Sequence, residues 1–235
     1  MNLPEQEQWK KAAAEAAAKL VDDGMVVGLG TGSTAAFLVS ALGRRVAKEN
    51  LRIVGIPTSE RTAEHARTLN IPLTTFAEHG HIDLTIDGAD EIEPRTLGLI
   101  KGHGGALLRE KIVAAASSRM IVVGDETKIV ERLGVRESVP VEVVSFGWQV
   151  TLRRLEKLGA SAILRSGLDK KTFVTDGGNY IIDCKFDGIA NAKELAHHLD
   201  HIVGAIENGL FLGLASQAIV GGRDGVKILR RASDS

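Results

Sequence analysis

The sequence predicts an α/β fold built on a parallel sheet, accompanied by a smaller α+β unit. Three observations carry this. Over about the first 133 residues, apolar runs of strand length alternate with longer helical patterns. Helices of that length between apolar strands build right-handed crossovers and a parallel sheet. Polar, glycine- or aspartate-rich loops follow the apolar runs at Gly28–Thr34 and Asp87–Glu91, and a third lies at Lys101–Gly105. After Leu133 the rhythm becomes strand, helix, three short strands and helix, which reads as a small α+β unit rather than more doubly wound sheet.

The elements follow in order. Gln6 to Leu20 is rich in Ala, Lys and Glu without internal Gly or Pro, so it is a helix, broken at Asp22-Asp23-Gly24. Met25 to Gly30 is a short buried strand running into a Gly/Ser/Thr turn. Thr34 to Asn50 is the next helix and Leu51 to Pro57 the second strand; Thr58 or Ser59 caps a third helix through about Leu69. Ile82 to Ile86 is a strand ending at Asp87, Ala106 to Ser118 a helix, and Met120 to Gly124 a strand. In the second part, Val139–Val144 is a strand and Gly147–Leu158 a helix. Strands follow at Ala162–Leu164, Thr172–Thr175 and Asn179–Asp183, then a helix at Asn191–Leu199. Asp176-Gly177-Gly178-Asn179 has hairpin chemistry. Gly209–Gly213 and Ala218–Val220 read as strands returning to the first unit, and the tail after Leu229 as polar and frayed. The expected domains are 1–133 with 208–235, and 134–207.

Composition narrows the function classes. A chain of 235 residues buries roughly 70–75% of its unfolded surface and needs no metal or disulfide staple. With 44% hydrophobic and 25% charged residues, it is not an intrinsically disordered chain. Lys and Arg total 29 against 30 Asp and Glu, so composition lends no support to a nucleic-acid or anionic-membrane partner. The single cysteine, Cys184, leaves no internal disulfide and fits a reducing cytoplasm. The opening MNLPEQEQWKK is too polar for a secretory signal, and no long uncharged apolar stretch reads as a membrane helix. A soluble, cytoplasmic protein is expected.

Chemistry concentrates in the three loops. In Gly28-Leu29-Gly30-Thr31-Gly32-Ser33-Thr34, glycines let backbone amides approach an anion at a helix N-terminus, and Ser33 and Thr34 add hydroxyl donors. Ser33 stands where a dinucleotide fingerprint has its third glycine, and no Walker-type Lys follows. The segment reads equally as a capped turn or as a cradle for phosphate or a polar substrate at the carboxyl end of a strand. Asp87-Gly88-Ala89-Asp90-Glu91 crowds three carboxylates after a strand, which can raise one of them into the range of a proton donor; the alternatives are a solvated acidic turn and a metal site, the latter without a His or Cys cluster beside it. Lys101-Gly102-His103-Gly104-Gly105 leads into a helix carrying Glu110 and offers backbone donors and a fixed positive charge. Its plain alternative is a flexible loop followed by ordinary surface charges. His103, among glycines, receives no acid–base role.

Gly-Thr-Gly-Ser-Thr, Asp-Gly-Ala-Asp-Glu and Lys-Gly-x-Gly-Gly-Ala-Leu-x-Arg-Glu-Lys, in this order and spacing, closely resemble ribose-5-phosphate isomerase of the A type. The resemblance extends to Pro140–Val143, Thr175–Asn179 and Gly209–Phe211. It implies a Rossmann-like domain with a smaller ferredoxin-like one, a homodimer or homotetramer, no metal and no organic cofactor. It also implies interconversion of D-ribose 5-phosphate and D-ribulose 5-phosphate in the non-oxidative pentose phosphate pathway. Carried over by motif, Glu110 is the general base, Lys101 stabilises the developing oxyanion, and Asp87 and Asp90 move hydroxyl protons. Thr31, Gly32, Ser33 and Thr34 hold the substrate together with Gly88, Ala89, Gly102, His103 and Gly104; Lys10 and Lys128 are phosphate partners. A helix start lowers the pKa of Glu110 and burial beside Asp87 raises it, a competition that spacing leaves open. The rival readings are a sugar-phosphate sensor and an amino-sugar phosphate deaminase. A sensor has no need of Glu110, Lys101 and both aspartates, and here all four are present.

Overall fold

The structure, a computed structural model, describes residues 3–231. Helix α1 (Glu5–Ala18) begins after Pro4 with Glu5 and Glu7 in its first turn, where acidic side chains complement the helix dipole. It buries Ala13, Ala14, Ala17 and Ala18, a face small enough to lie close on the sheet. Then come β1 (Val26–Leu29) and α2 (Ser33–Glu49), which ends at a left-handed Asn50. Strand β2 (Val54–Pro57) leads to α3 (Glu60–Thr68), capped by Ser59 Oγ accepting from the Thr62 amide. Strand β3 (Leu84–Gly88), β4 (Glu91–Glu93) and β5 (Gly98–Ile100) follow. Next are α4 (Leu107–Ala115), β6 (Met120–Asp125) and a 3₁₀ turn at Glu126–Lys128. The remainder is β7 (Val139–Val143), α5 (Trp148–Glu156), β8 (Ser161–Leu164), β9 (Tyr180–Lys185), α6 (Ala192–Asp200), β10 (Ala205–Asn208), β11 (Leu210–Phe211), β12 (Ala215–Gly222) and β13 (Gly225–Arg230).

The main sheet has six strands in the order β13-β12-β6-β3-β1-β2. All neighbours are parallel except the edge hairpin β12–β13. Alternation along the strands splits its core. Val27, Leu29, Leu84, Ile86, Ile121 and Val123 face α1 and α2, while Met120, Val122, Ala218 and Val220 face a second cluster with Leu99 and Phe211. The second sheet, β10-β7-β9-β8, is antiparallel. Its connectivity β-α-β-β-α-β is ferredoxin-like. Its core includes Val139, Val141, Leu155, Ile182 and Leu199, and runs into Ile100 and Leu210 beside the main sheet. A short third sheet, β11-β5-β4, joins the two halves.

The structure departs from the sequence reading in places. Thr172–Thr175 is not a strand: only Thr172 bridges, to Ser166. Val174 remains 53% exposed while its neighbour Phe173 packs at Gly105, so the segment docks by one side chain and not by a strand face. The Asp176–Asn179 turn exists, closed by Thr175 N–H donating to Asn179 O (2.9 Å), but β9 pairs with β8 instead. Strands β4, β5, β10 and β13 escape a periodicity reading because three of them are four residues or fewer and β13 is an exposed edge. Leu229 and Arg230 belong to β13, paired through the hairpin at Gly222↔Gly225; the tail expected to fray continues beyond the described residues.

Candidate active site

Strands β1 and β3 run side by side, with Leu29 in register with Ile86, so the turns after them leave the same end of the sheet. There the Gly30 amide donates to Ile86 O (3.1 Å). A Cβ on Gly30 would lie 2.2 Å from Asp87 Oδ1, which is why glycine occupies the position. Asp87 is fully buried. Its Oδ1 accepts from the amides of Thr31 (3.0 Å) and Gly88 (2.7 Å). Its Oδ2 lies 3.0 Å from Lys101 Nζ. That ammonium donates to Gly88 O (2.7 Å) and lies 3.2 Å from Glu110 Oε2. Lys101 and Glu110 are 2% and 3% exposed, so one ammonium sits between two buried carboxylates. Lys101 is fixed from behind: its amide donates to Gly209 O (2.9 Å) and its Nζ stands 5.4 Å from the Phe211 ring centroid. Glu110 projects from the first turn of α4. Apart from the ammonium, neither Asp87 Oδ2 nor Glu110 Oε2 has a directed hydrogen-bond partner.

These charges settle the competition at Glu110. Burial pushes its pKa up to about 8; Lys101 offsets part of the rise and Asp87 adds to it. Burial also raises Asp87, against Lys101 and the two amides that favour its charged form. For Lys101 burial works against the charge, but Asp87 and Glu110 outweigh it and hold the ammonium protonated. Asp87 Oδ1 accepts two amides that favour its charged form, while Glu110 Oε2 faces only the ammonium, so the two carboxylates titrate together through Lys101.

Around this floor lies a cleft of about 460 Å³ of empty space, lined by Thr31, Gly32, Ser33, Thr34, Gly88, Ala89, Asp90, Lys101, Gly102, Gly104, Glu110 and Lys128. The structure therefore brings the three loops together, the first two at the carboxyl ends of the parallel strands β1 and β3 and the third after β5 of the antiparallel sheet β11-β5-β4. Ser33 opens α2 and no side chain caps that end, leaving helix N-terminal donors toward the cleft. The Thr31 hydroxyl is taken up by Thr58 (2.7 Å), Ser59 (2.8 Å) and Thr62 (3.0 Å), so its role in the rim is to hold the loop. Asp90 Oδ2 accepts from the His103 amide (3.1 Å). The His103 ring turns to Ser138 O (3.1 Å) and Glu137 (3.5 Å); it is not a lining group. Lys10 also stands outside the lining, its ammonium 2.7 Å from Glu7 on α1.

Sequence reasoning missed a third contribution. Arg165, Phe173 and Asp176 from the smaller unit reach the third loop and its surroundings: Arg165 Nη1 donates to Gly102 O, Phe173 packs at Gly105, and Asp176 accepts from the Glu60 amide. No spacing could reveal them, since they come from the other half of the chain. Two larger depressions lie elsewhere. One is lined by Lys111, Asp200 and Glu207, the other by Arg95, Arg132 and Lys193. Neither holds a buried charge without a directed partner; Lys111 Nζ is engaged by Glu207 Oε1 and Asn208 O, both at 2.6 Å. Among the described residues, no group of three or more His, Cys, Asp or Glu is arranged to hold a metal ion.

The chain is similar to known proteins in both sequence and fold. Residues 54–225 match the family model of ribose 5-phosphate isomerase A (phosphoriboisomerase A). Ribose-5-phosphate isomerase A of Synechococcus sp. (strain JA-3-3Ab) is 54% identical over 96% of this chain and 98% of its own length. That of Gloeobacter violaceus is 57% identical over 94% and 95%. Among solved structures, ribose 5-phosphate isomerase A from Methanocaldococcus jannaschii superposes with a TM-score of 0.92 at 43% identity, covering 96% of this chain and all of that one. A D-ribose-5-phosphate isomerase in complex with phospho-erythronic acid gives 0.93 at 42% identity, covering 98% of this chain. On both sequence and structure, then, the chain belongs to the ribose 5-phosphate isomerase A family.

Proposed function

We propose that this isomerase interconverts D-ribose 5-phosphate and D-ribulose 5-phosphate with Glu110 as the base, Lys101 as the oxyanion donor, and Asp87 and Asp90 moving hydroxyl protons. The observation that carries it is the Lys101 ammonium buried between Asp87 and Glu110 at the floor of a cleft rimmed by an anion-binding helix start. A sugar phosphate fits both ends. Its phosphate lies on the Ser33 and Thr34 amides and hydroxyls with Lys128, and Lys10 is the further cation proposed for it. Its C1–C2 end reaches Lys101 and Glu110. The ligand phospho-erythronic acid of the 42% identical relative carries a phosphate, as ribose 5-phosphate does.

In the aldose-to-ketose direction, Glu110 takes the C2 proton, the electron pair moves toward the carbonyl, and an enediolate forms. Lys101 N–H stabilises the oxygen charge, the aspartates pass the C2 hydroxyl proton to the former carbonyl oxygen on C1, and Glu110 returns its proton to C1. C1 is reduced as C2 is oxidised within one molecule, so no external redox partner enters. A positioned base contributes about 10²–10⁴-fold and an oxyanion donor about 10²–10³-fold. The ammonium needs no reorganisation at the moment of reaction, because Asp87 and Gly88 O already hold it. Binding at the phosphate orients carbons that the protein otherwise hardly grips. The reading extends to work in the cytoplasm as a homodimer or homotetramer with no nucleic-acid or membrane partner. It also divides the chain into a catalytic unit, 1–133 with 208–235, and a smaller unit, 134–207, which is supported by the separate sheets.

The test is Glu110→Gln, which keeps size and hydrogen bonding but cannot accept the carbon proton. Turnover falls by about 10²–10⁴-fold, KM moves little, and exchange of the C2 proton with solvent deuterium falls in parallel. Near-parent exchange in this variant removes Glu110 as the base.

A further inference from the structure

The smaller unit touches the reaction loop at a point that the proposed chemistry does not use. Arg165, just past the end of β8, is only 12% exposed. Its Nε donates to Asp183 Oδ2 (2.8 Å) and its Nη2 pairs with Asp183 Oδ1, a two-point brace that fixes the plane of the guanidinium. The remaining nitrogen, Nη1, donates to Gly102 O (2.8 Å) and to His103 O (3.2 Å). The same guanidinium lies 5.9 Å from the Phe173 ring centroid. That ring fills the space beside Gly105, where a Cβ would come within 2.3 Å of it. Phe173 is itself tied to Arg165, its amide donating to Arg165 O (2.9 Å). The segment so gripped joins Lys101 to α4, and Gly102 and Gly104 line the cleft.

Glycine-rich backbone of this kind, with Gly105 at φ +80°, has little preference of its own for one conformation. Lys101 is fixed by β11 and Glu110 by α4, but the peptides between them lean outward on Arg165. We propose that Arg165 is a positioning residue for the isomerisation. Braced by Asp183, it holds the Gly102 and His103 carbonyls outward, so that the loop backbone keeps its place against the reacting end of the sugar. The smaller unit is on this view part of the catalytic apparatus. The inference rests on the isomerase reading above. Its signature is a loss in turnover rather than in substrate affinity, since Arg165 bonds Asp183 and the Gly102 and His103 carbonyls and none of Ser33, Thr34 and Lys128, the groups proposed for the phosphate.

The experiment measures kcat and KM for ribose 5-phosphate in Arg165→Met, at a temperature where melting curves show parent and variant both folded. Misplacement of reacting groups by about 1 Å costs about 10²-fold, so kcat is expected to fall by about 10–100-fold with KM within about 3-fold. Added methylguanidinium restores part of the loss, which a general weakening of the fold would not allow. Asp183→Asn, which keeps the guanidinium but loosens its brace, moves kcat in the same direction by less. An unchanged kcat in folded Arg165→Met, a loss confined to KM, or no rescue overturns the proposal. If Arg165→Met does not fold, Arg165→Lys is read the same way: it keeps the charge but cannot brace on Asp183 and reach both carbonyls, and parent-like kcat there overturns it. An active parent with an indifferent variant refutes this inference alone; a parent without isomerase activity refutes the reading beneath it as well.

Discussion

Neutralising Asp87 should move the pH dependence of the enzyme by a calculable amount. In Asp87→Asn the side chain keeps its shape and its neighbours but loses the charge that repels Glu110. Both carboxylates contact one ammonium, Asp87 at 3.0 Å and Glu110 at 3.2 Å. Their facing oxygens are thus within about 6 Å, where like charges repel by about 3 kcal/mol at an effective dielectric of about 20, equal to about 2 pK units. Both groups are buried, so no discount for solvent screening applies. The base works deprotonated. With Glu110 at about 8 in the parent, kcat/KM rises with pH through about 8 and is flat above it. In Asp87→Asn the rise is expected near about pH 6, on a lower plateau because hydroxyl proton transfer is impaired. The assay is the initial rate of ketose formation from ribose 5-phosphate at low substrate, from about pH 5 to about pH 10. Comparing the two proteins on one substrate cancels the titration of its phosphate. A parent profile flat across this range refutes the raised pKa of Glu110. A midpoint that stays near 8 in Asp87→Asn refutes the coupling of the two carboxylates through Lys101.

Two further predictions concern the rim of the cleft and the source of positive charge. Changing Ser33 and Thr34 together to Ala should raise KM for ribose 5-phosphate far more than it affects any residual reaction of free ribose, since each hydrogen bond to a charged group contributes about 1.5–3 kcal/mol. Unchanged KM and turnover with the phosphorylated sugar would refute the cradle. Exhaustive treatment with a chelator should leave kcat unchanged, because Lys101 already supplies the cation between Asp87 and Glu110. Activity lost in chelator and restored by one divalent metal would count decisively against the mechanism.

Composition and periodicity were enough to read the kinds of element and the loops that matter. Apolar runs such as Met120–Val123 and Ile82–Ile86 can only be buried strands when long helical segments separate them, and polar glycine-rich turns between them are exposed at strand ends by the geometry of a parallel sheet. The order and spacing of the loops around Gly30, Asp87 and Lys101 likewise carry the resemblance to the family. What needed tertiary structure was everything set by contact between distant segments. The β4, β5 and β10 strands are too short to show a period and exist because a neighbour satisfies their backbone. Thr172–Thr175 is apolar at its centre and reads as a strand, but its pairing stops at the single bridge from Thr172 to Ser166. The direction of the Glu110 pKa follows from burial, and burial is a property of packing, not of composition. The place of Arg165 follows the same rule. Nothing in Leu164-Arg165-Ser166 marks an active-site residue, because the peptides it holds lie more than 60 positions away in the chain, and only the docking of one unit on the other brings a guanidinium to Gly102.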